Sequence, residues 1–442
     1  MTSTEDEGRP TMVRTPSPRA TGRQPRDAAP HAPRLEALLG DPDDPANPYG
    51  RAALASARRE QNPLAHDDVL ARAVPWSDGP RADADRLVRV LRPLLRRDLG
   101  LGHAWATRLL GGARPRPDDG TGALLGPAAL VAATGGVLYT TVRLVDVLAP
   151  HEPAARQWQS ALAAVFADLL ACECLTAVAL RGTHPDDRAD ALPVAVAGYL
   201  VPHLVGDLLD DLELVLHETG FGPDSTERRA LAALQAHRPA AGVDWTAAAA
   251  HQARLVRLMP ETAPAAPDEA GIAGLFRLDR PAPDTGARTT GARWARALTS
   301  ALTGTAGTDA HRAAVEGDDP ARAALARTVR RLAVEQRAVH RACATAELAG
   351  PAHPAARALA DRSATVLLAG AALGVARAAA RAGDPFLGRP DWILLALERV
   401  AHRLGIPLPG HPATPRTRVW TELAERTRRG VDCDARATKL LW

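Results

Sequence analysis

Three aspartates at helical spacing are the first residues in this chain that could do chemistry. They lie in PVAVAGYLVPHLVGDLLDDLELVLHETGFG, residues 193–222, which reads as one long helix stopped at Gly220. Asp207 and Asp211 fall on one face of such a helix, with Asp210 beside them. Carboxylates so spaced can share magnesium ions with a diphosphate when a facing helix supplies more of them. His203 stands four residues before Asp207 and extends the same face, where a carboxylate–histidine set could hold iron or zinc.

Neither constellation is completed elsewhere in the sequence. A magnesium-dependent isoprenoid enzyme using the 207–211 aspartates would need a second acidic box. The preceding helical stretch offers only Asp168, in DLLA at 168–171. Leu212-Glu213-Leu214 stands where such boxes are usually followed by an Arg-Lys pair, and no Glu-x-x-His pair of the di-iron type lies on the neighbouring helices. The favoured reading is a polar helix side, its aspartates pairing with arginines across a subunit boundary. No metal is expected there, and the isoprenoid chemistry stays as an alternative.

Other chemistries are excluded by residue type. Of 442 residues, 54 are basic, and Lys439 is the one lysine among them. Schiff-base and phosphate-loop chemistry would both rest on a residue near the end of the sequence. No Gly-x-Ser-x-Gly or Gly-rich phosphate loop occurs. A net charge of +3 with interspersed signs predicts no nucleic-acid partner. Cys172 and Cys174 are two apart on a helical pattern, so they cannot close a zinc site together; with Cys343 and Cys433 they read as reduced thiols. Residues 1–33 contain no apolar leader, and no uninterrupted apolar run reaches the ~18 residues of a membrane span. The expectation is a cytoplasmic protein without a membrane span.

The elements that would position these residues are helices throughout. Aromatics are 3% of a chain that is 46% hydrophobic, so the core must be aliphatic. Helical periodicity recurs from residue 51 onward, and period-2 strands in series are missing. The predicted fold is all-α, built of antiparallel bundles. Its expected parts are a disordered tail (1–33), an N-terminal helical region (34–110), a Pro/Asp/Gly linker (111–125), a four-helix-type bundle (126–262) and a second linker (263–293). A helical extension (294–408) and a C-terminal tail (409–442) follow.

Several stretches give this layout a family likeness. GDPDDPANPYGRAALASARREQ and RLVRVLRPLLRRDLGLG resemble the N-terminal helices of acyl-CoA dehydrogenases. SALAAVFADLLACECLTAVALR and VAVAGYLVPHLVGDLLDDLELVL resemble two long helices of that family's C-terminal four-helix domain. DPFLGRPDWILLALERVAHRLG resembles a helical extension carried by some members. The likeness spans most of residues 34–262 and pieces beyond.

The departures from the family are specific. Its middle β-domain, on which the flavin ring rests, is replaced by the 111–125 linker. The family's Arg-x-x-Phe-Gly, a flavin contact, would fall on Val145-Asp146-Val147-Leu148-Ala149. Its Gly-Gly-x-Gly would fall on His217-Glu218-Thr219-Gly220, where side chains block the backbone approach that glycine permits. The loop that often carries the catalytic glutamate would fall on Val243-Asp244-Trp245-Thr246. Asp244 keeps a carboxylate at that place and is the candidate catalytic residue, although Asp-Trp-Thr also suits a helix start.

The resemblance therefore implies a degenerate, non-autonomous member, a scaffold or partner subunit with no cofactor expected. The alternative it implies is an active FAD-dependent enzyme oxidising the Cα–Cβ bond of an acyl-CoA or acyl-carrier-protein thioester. Assembly is expected through the 153–217 helices, into a homo-oligomer or onto a complete acyl-CoA dehydrogenase subunit.

Overall fold

Breaks between helices fall where side chains or special backbone conformations satisfy free helix ends. The computed structural model describes residues 31–54, 70, 84–109, 120–183, 191–220, 222, 224–259, 273–281, 291–303, 319–345, 351–408 and 414–442. Its α-helices are α1 (His31–Leu39), α2 (Ala84–Arg97), α3 (Leu99–Leu109), α4 (Gly120–Leu148), α5 (Ala155–Gly182), α6 (Ala191–Glu218) and α7 (Thr226–His237). They continue with α8 (Trp245–Leu258), α9 (Gly291–Thr303), α10 (Pro320–Thr345), α11 (Pro354–Ala382), α12 (Pro390–Arg403) and α13 (Thr414–Arg428). Among the described residues there is no strand, only one isolated bridge between Val431 and Lys439. The fold is all-α.

Ser225 caps α7 by accepting from the Arg228 N–H. Pro354 begins α11, and Gly383 ends it in the left-handed region at φ 75°. Helices α4, α5 and α6 pack on one another, with α8 across α6 and α2 across α4. Helices α9 and α11 lie together, and α11, α12 and α13 all contact α5. A Cβ on Gly370 would stand 2.2 Å from the Leu298 carbonyl oxygen, so α11 reaches α9 only through glycine. One contiguous buried cluster runs from Leu35 to Leu440. The segments read separately in the sequence thus share a core.

The expectation of no membrane span is corrected by this structure. Four helices are long and apolar enough to cross a membrane: Gly122–Leu148, Ala155–Gly182, Ala191–Glu218 and Pro354–Ala382. Counting uninterrupted apolar runs missed them, because isolated charges break a run without making a long helix polar. In the fold, 83–94% of each apolar window is buried inside the protein.

Helix α6, one of the 153–217 helices expected to carry assembly, has most of its apolar residues covered within the chain. Val194, Leu200, Val201, Leu204, Leu208, Leu212 and Val215 are all buried under neighbouring helices. Helix α6 carries apolar residues on several sides because α4, α5, α8 and α9 surround it.

Of the expected disordered tail, residues 1–30 lie outside the described residues, as do 110–119 of the first linker and most of the second. Residues 31–33 belong to α1, and residues 120–125 belong to α4. Within the second linker, Gly274–Phe276 form a 3-10 turn with Leu275 and Phe276 buried.

The expected C-terminal tail is the largest departure. After α13 the chain makes a tight hairpin, in which Asp432 N–H donates to Thr438 O and Leu440 N–H donates to Gly430 O. The hairpin drives Asp432 into the core between two arginines of α2. The Asp432 carboxylate accepts from Arg92 Nε at 2.8 Å and Arg96 Nη1 at 2.7 Å. Arg96 also pairs with Glu36 of α1 at 2.6 Å, and Arg92 with Glu173 of α5 at 3.0 Å. Glu173 in turn accepts the Ala435 backbone N–H. Burial pushes the Glu173 carboxyl up to about 7 against the attraction of Arg92. For Asp432, burial is outweighed by the charges and hydrogen bonds of both arginines, which bring it down to about 2.

Breaking a buried pair on one side leaves an uncompensated charge and costs about 3–5 kcal/mol. Asp432→Asn should therefore lower unfolding free energy by that order in denaturant titrations. Asp432 has a folded value below its unfolded value of about 3.9. Its stabilisation is full above that value and is lost as pH falls through about 2. The gap between the parent chain and Asp432→Asn should thus be level above about pH 4 and narrow toward about pH 2.

Candidate functional site

Asp207 and Asp211 do share a face of α6, and that face meets arginines of the same chain. Arg403 and Arg399 of α12 reach Asp207 at 3.7 Å and Asp211 at 3.4 Å. Asp168 of α5 joins them from below: it is buried and accepts from both Arg399 Nε and Arg403 Nη2. Three carboxylates thus converge, as a metal box requires, but two guanidiniums occupy the space between them. Among the described residues no group of histidine, cysteine, aspartate and glutamate side chains is arranged to hold a metal ion. Asp210 points to solvent on the side of Arg238. The expected pairing of these aspartates with arginines is present, within one chain rather than between subunits.

His203 lies among aromatic rings. Its ring stacks on Tyr199, with centroids 6.2 Å apart, and meets Trp245 edge-on at 5.4 Å. Arg238 covers the other part of Trp245 at 5.6 Å. His203 is therefore part of an aromatic seam between α6 and α8.

Asp244 is the N-cap of α8, where its carboxylate accepts the Ala247 N–H at 2.9 Å. The other positions singled out by the family likeness are similarly engaged. Asp146 is held by two nitrogens of Arg428 at 2.6 and 2.8 Å. Glu218 accepts the Trp158 indole N–H at 2.7 Å. All four cysteines are free and buried.

One cavity of about 320 Å³ opens elsewhere, between the 42–54 loop, the end of α2, α4 and α7. Its polar wall includes Arg51, Arg97 and Arg229; its apolar wall includes Val137, Ala233 and Leu234. No spacing rule connects these residues. Arg97 could have been singled out in the sequence only as one of two arginines ending a strongly apolar stripe. Comparison with protein-family models, curated proteins and solved structures finds no match. The acyl-CoA dehydrogenase likeness accordingly rests on the sequence stretches alone.

Two sets of substitutions separate structural from metal-binding aspartates. Asp207→Asn and Asp211→Asn remove partly exposed pairs and should each cost at most about 1 kcal/mol in thermal or chemical unfolding. Asp168→Asn removes two charged hydrogen bonds at a buried acceptor and should cost about 2–3 kcal/mol. Magnesium should leave the melting temperature of the parent chain unchanged. A magnesium-dependent rise abolished by Asp207→Asn would show a metal box. Asp244→Ala should cost about 1 kcal/mol through the lost helix cap.

Proposed function

We propose that this chain is a degenerate acyl-CoA dehydrogenase-like protein with a scaffolding role and no flavin turnover of its own. The observation that carries this reading is the passage from α3 to α4. Leu109 ends one helix and Gly120 begins the next, so residues 110–119 are all that stands where the family has its β-domain. That length has no room for a flavin-supporting sheet.

The engaged carboxylates support the same reading. A general base must reach a substrate proton within hydrogen-bond distance. Asp244, the only residue the likeness offers for that work, spends its carboxylate on the start of α8. The adjoining Trp245 is 56% exposed and packs on His203 and Arg238. A cytoplasmic location belongs to this proposal and is supported by four unpaired, buried thiols, which suit a reducing compartment.

Purified chain incubated with FAD and passed through gel filtration should emerge without flavin absorbance. It should not bleach an electron-accepting dye when given acyl-CoA thioesters. Retention of stoichiometric FAD, reduced on addition of a thioester, would overturn the proposal in favour of an active dehydrogenase. Cell fractionation without detergent should place the chain in the cytoplasmic supernatant. Recovery from the membrane pellet after a high-pH wash would overturn the location.

A further inference from the structure

Helix α10 packs on one side and faces solvent on the other. Val329, Leu332 and Val339 are buried where it meets α9, α11 and α12. Arg327, Arg330, Arg331, Val334, Arg337 and Arg341 are all exposed. With 3.6 residues per turn these positions fall within an arc of about 120°, over about 21 Å of helix. The outer face of α10 is thus a line of guanidiniums interrupted by a single aliphatic side chain.

The acids near this line are engaged. Glu335, the one acid in α10, pairs with Arg362 of α11 at 2.5 Å. Asp319, just before the helix, pairs with Arg322 at 3.3 Å. Asp361 of α11 accepts the Tyr199 O–H at 2.9 Å, and Asp391 of α12 pairs with Arg418 at 3.3 Å. Glu398 of α12 is also engaged. Among the described residues Arg327, Arg331 and Arg337 form no ion pair. Like charges four apart on a helix repel, as at Arg327 and Arg331. An anionic surface brought against the line would relieve that repulsion.

What the strip lacks selects the kind of surface. It carries no aromatic ring on which the bases of a single strand could stack. Its apolar content is Val334 alone, 55% exposed, which is far short of the apolar core of a protein interface. It is one helix wide, so a rigid partner with fixed charges would have to match its spacing. A fluid bilayer needs no such match, because anionic lipids can diffuse to the guanidiniums. The negative potential of a cytoplasmic leaflet attracts basic segments, and an aliphatic side chain in the middle of the line can enter the headgroup layer.

We propose that the outer face of α10 docks this protein peripherally on an anionic phospholipid bilayer, with Arg327, Arg331 and Arg337 against the lipid headgroups. Contact of this kind is reversible and weakened by salt, unlike an integral span, and it does not depend on the scaffolding reading.

Flotation of the full chain with vesicles tests this, using phosphatidylcholine alone and an equimolar mixture with phosphatidylserine. In low salt the chain should rise with the mixed vesicles at least about tenfold more than with the neutral ones, and ~0.5 M salt should release it. Replacing Arg327, Arg331 and Arg337 together by Gln should lower the vesicle-bound fraction by roughly tenfold or more. All three are exposed, so circular dichroism and melting should stay close to those of the parent. Arg143, Arg156 and Arg416, exposed on α4, α5 and α13, serve as a control of equal charge when replaced by Gln. That variant should float like the parent. A duplex oligonucleotide at equal phosphate concentration should not displace the vesicles. Equal flotation with neutral vesicles, or none with either, would overturn the proposal. So would a loss in the control as large as in the α10 variant, an α10 variant that floats like the parent, or displacement by the oligonucleotide.

Discussion

The fold depends on one buried carboxylate, Asp432, placed between Arg92 and Arg96. Through those two arginines it is linked to Glu36 on α1 and Glu173 on α5. Residues separated by 340 positions in the chain are thus joined by a single hydrogen bond. Such a cluster is tolerable in a low-dielectric interior only when each member has its partner, since any unpaired ion there is costly. The surrounding helices are aliphatic, and apolar contact is non-directional. The charged centre adds directional bonds from Asp432 to Arg92 and Arg96, which tie the last residues of the chain to α2.

The helical character of the chain was legible because it is written locally. Caps such as Ser225 and Asp244, the Pro354 start and the Gly383 stop all act within a few residues of themselves. What faces what was not legible. Asp168 looked isolated because a single helix pattern cannot say that Asp207 and Asp211 lie across from it, with Arg399 and Arg403 between. The 153–217 helices read as a face for another subunit because one helix pattern does not say which helices of the same chain surround it. Residues 409–442 read as a tail because they are short on apolar residues. Their information is carried by Asp432, Asp434 and Arg426, whose burial cannot be inferred from type, since such residues are mostly exposed.

The candidate carboxylates are engaged by neighbours for a related reason. Spacing brought Asp207 and Asp211 to one face, and the fold added a third carboxylate, which is more than the sequence promised. The same fold then supplied the counter-charges from α12. A carboxylate already satisfied by arginine has little to gain from a magnesium ion, which would first have to displace that partner. Asp244 is a parallel case. Its shorter side chain suits an N-cap, where the oxygen must fold back on its own backbone.

An arginine-for-lysine bias that looks like a feature of composition becomes a feature of architecture. Arg181 shows why. Its guanidinium donates to the carbonyls of Gly274, Leu275, Arg277, Arg280 and Pro281 and also to the Asp85 carboxylate. An ammonium has three donors around one point and could not span that set; a planar fork with five N–H groups can. Residues 274–281 are thereby fixed against α5. Arg92 and Arg96 use the same property to bridge separate carboxylates. Arg97, Arg238 and Arg377 use their forks on backbone carbonyls instead, Arg97 on Tyr49 O, Arg238 on Pro202 O and Val243 O, and Arg377 on Ala301 O. The same side chain thereby ties loops and helix ends to the core.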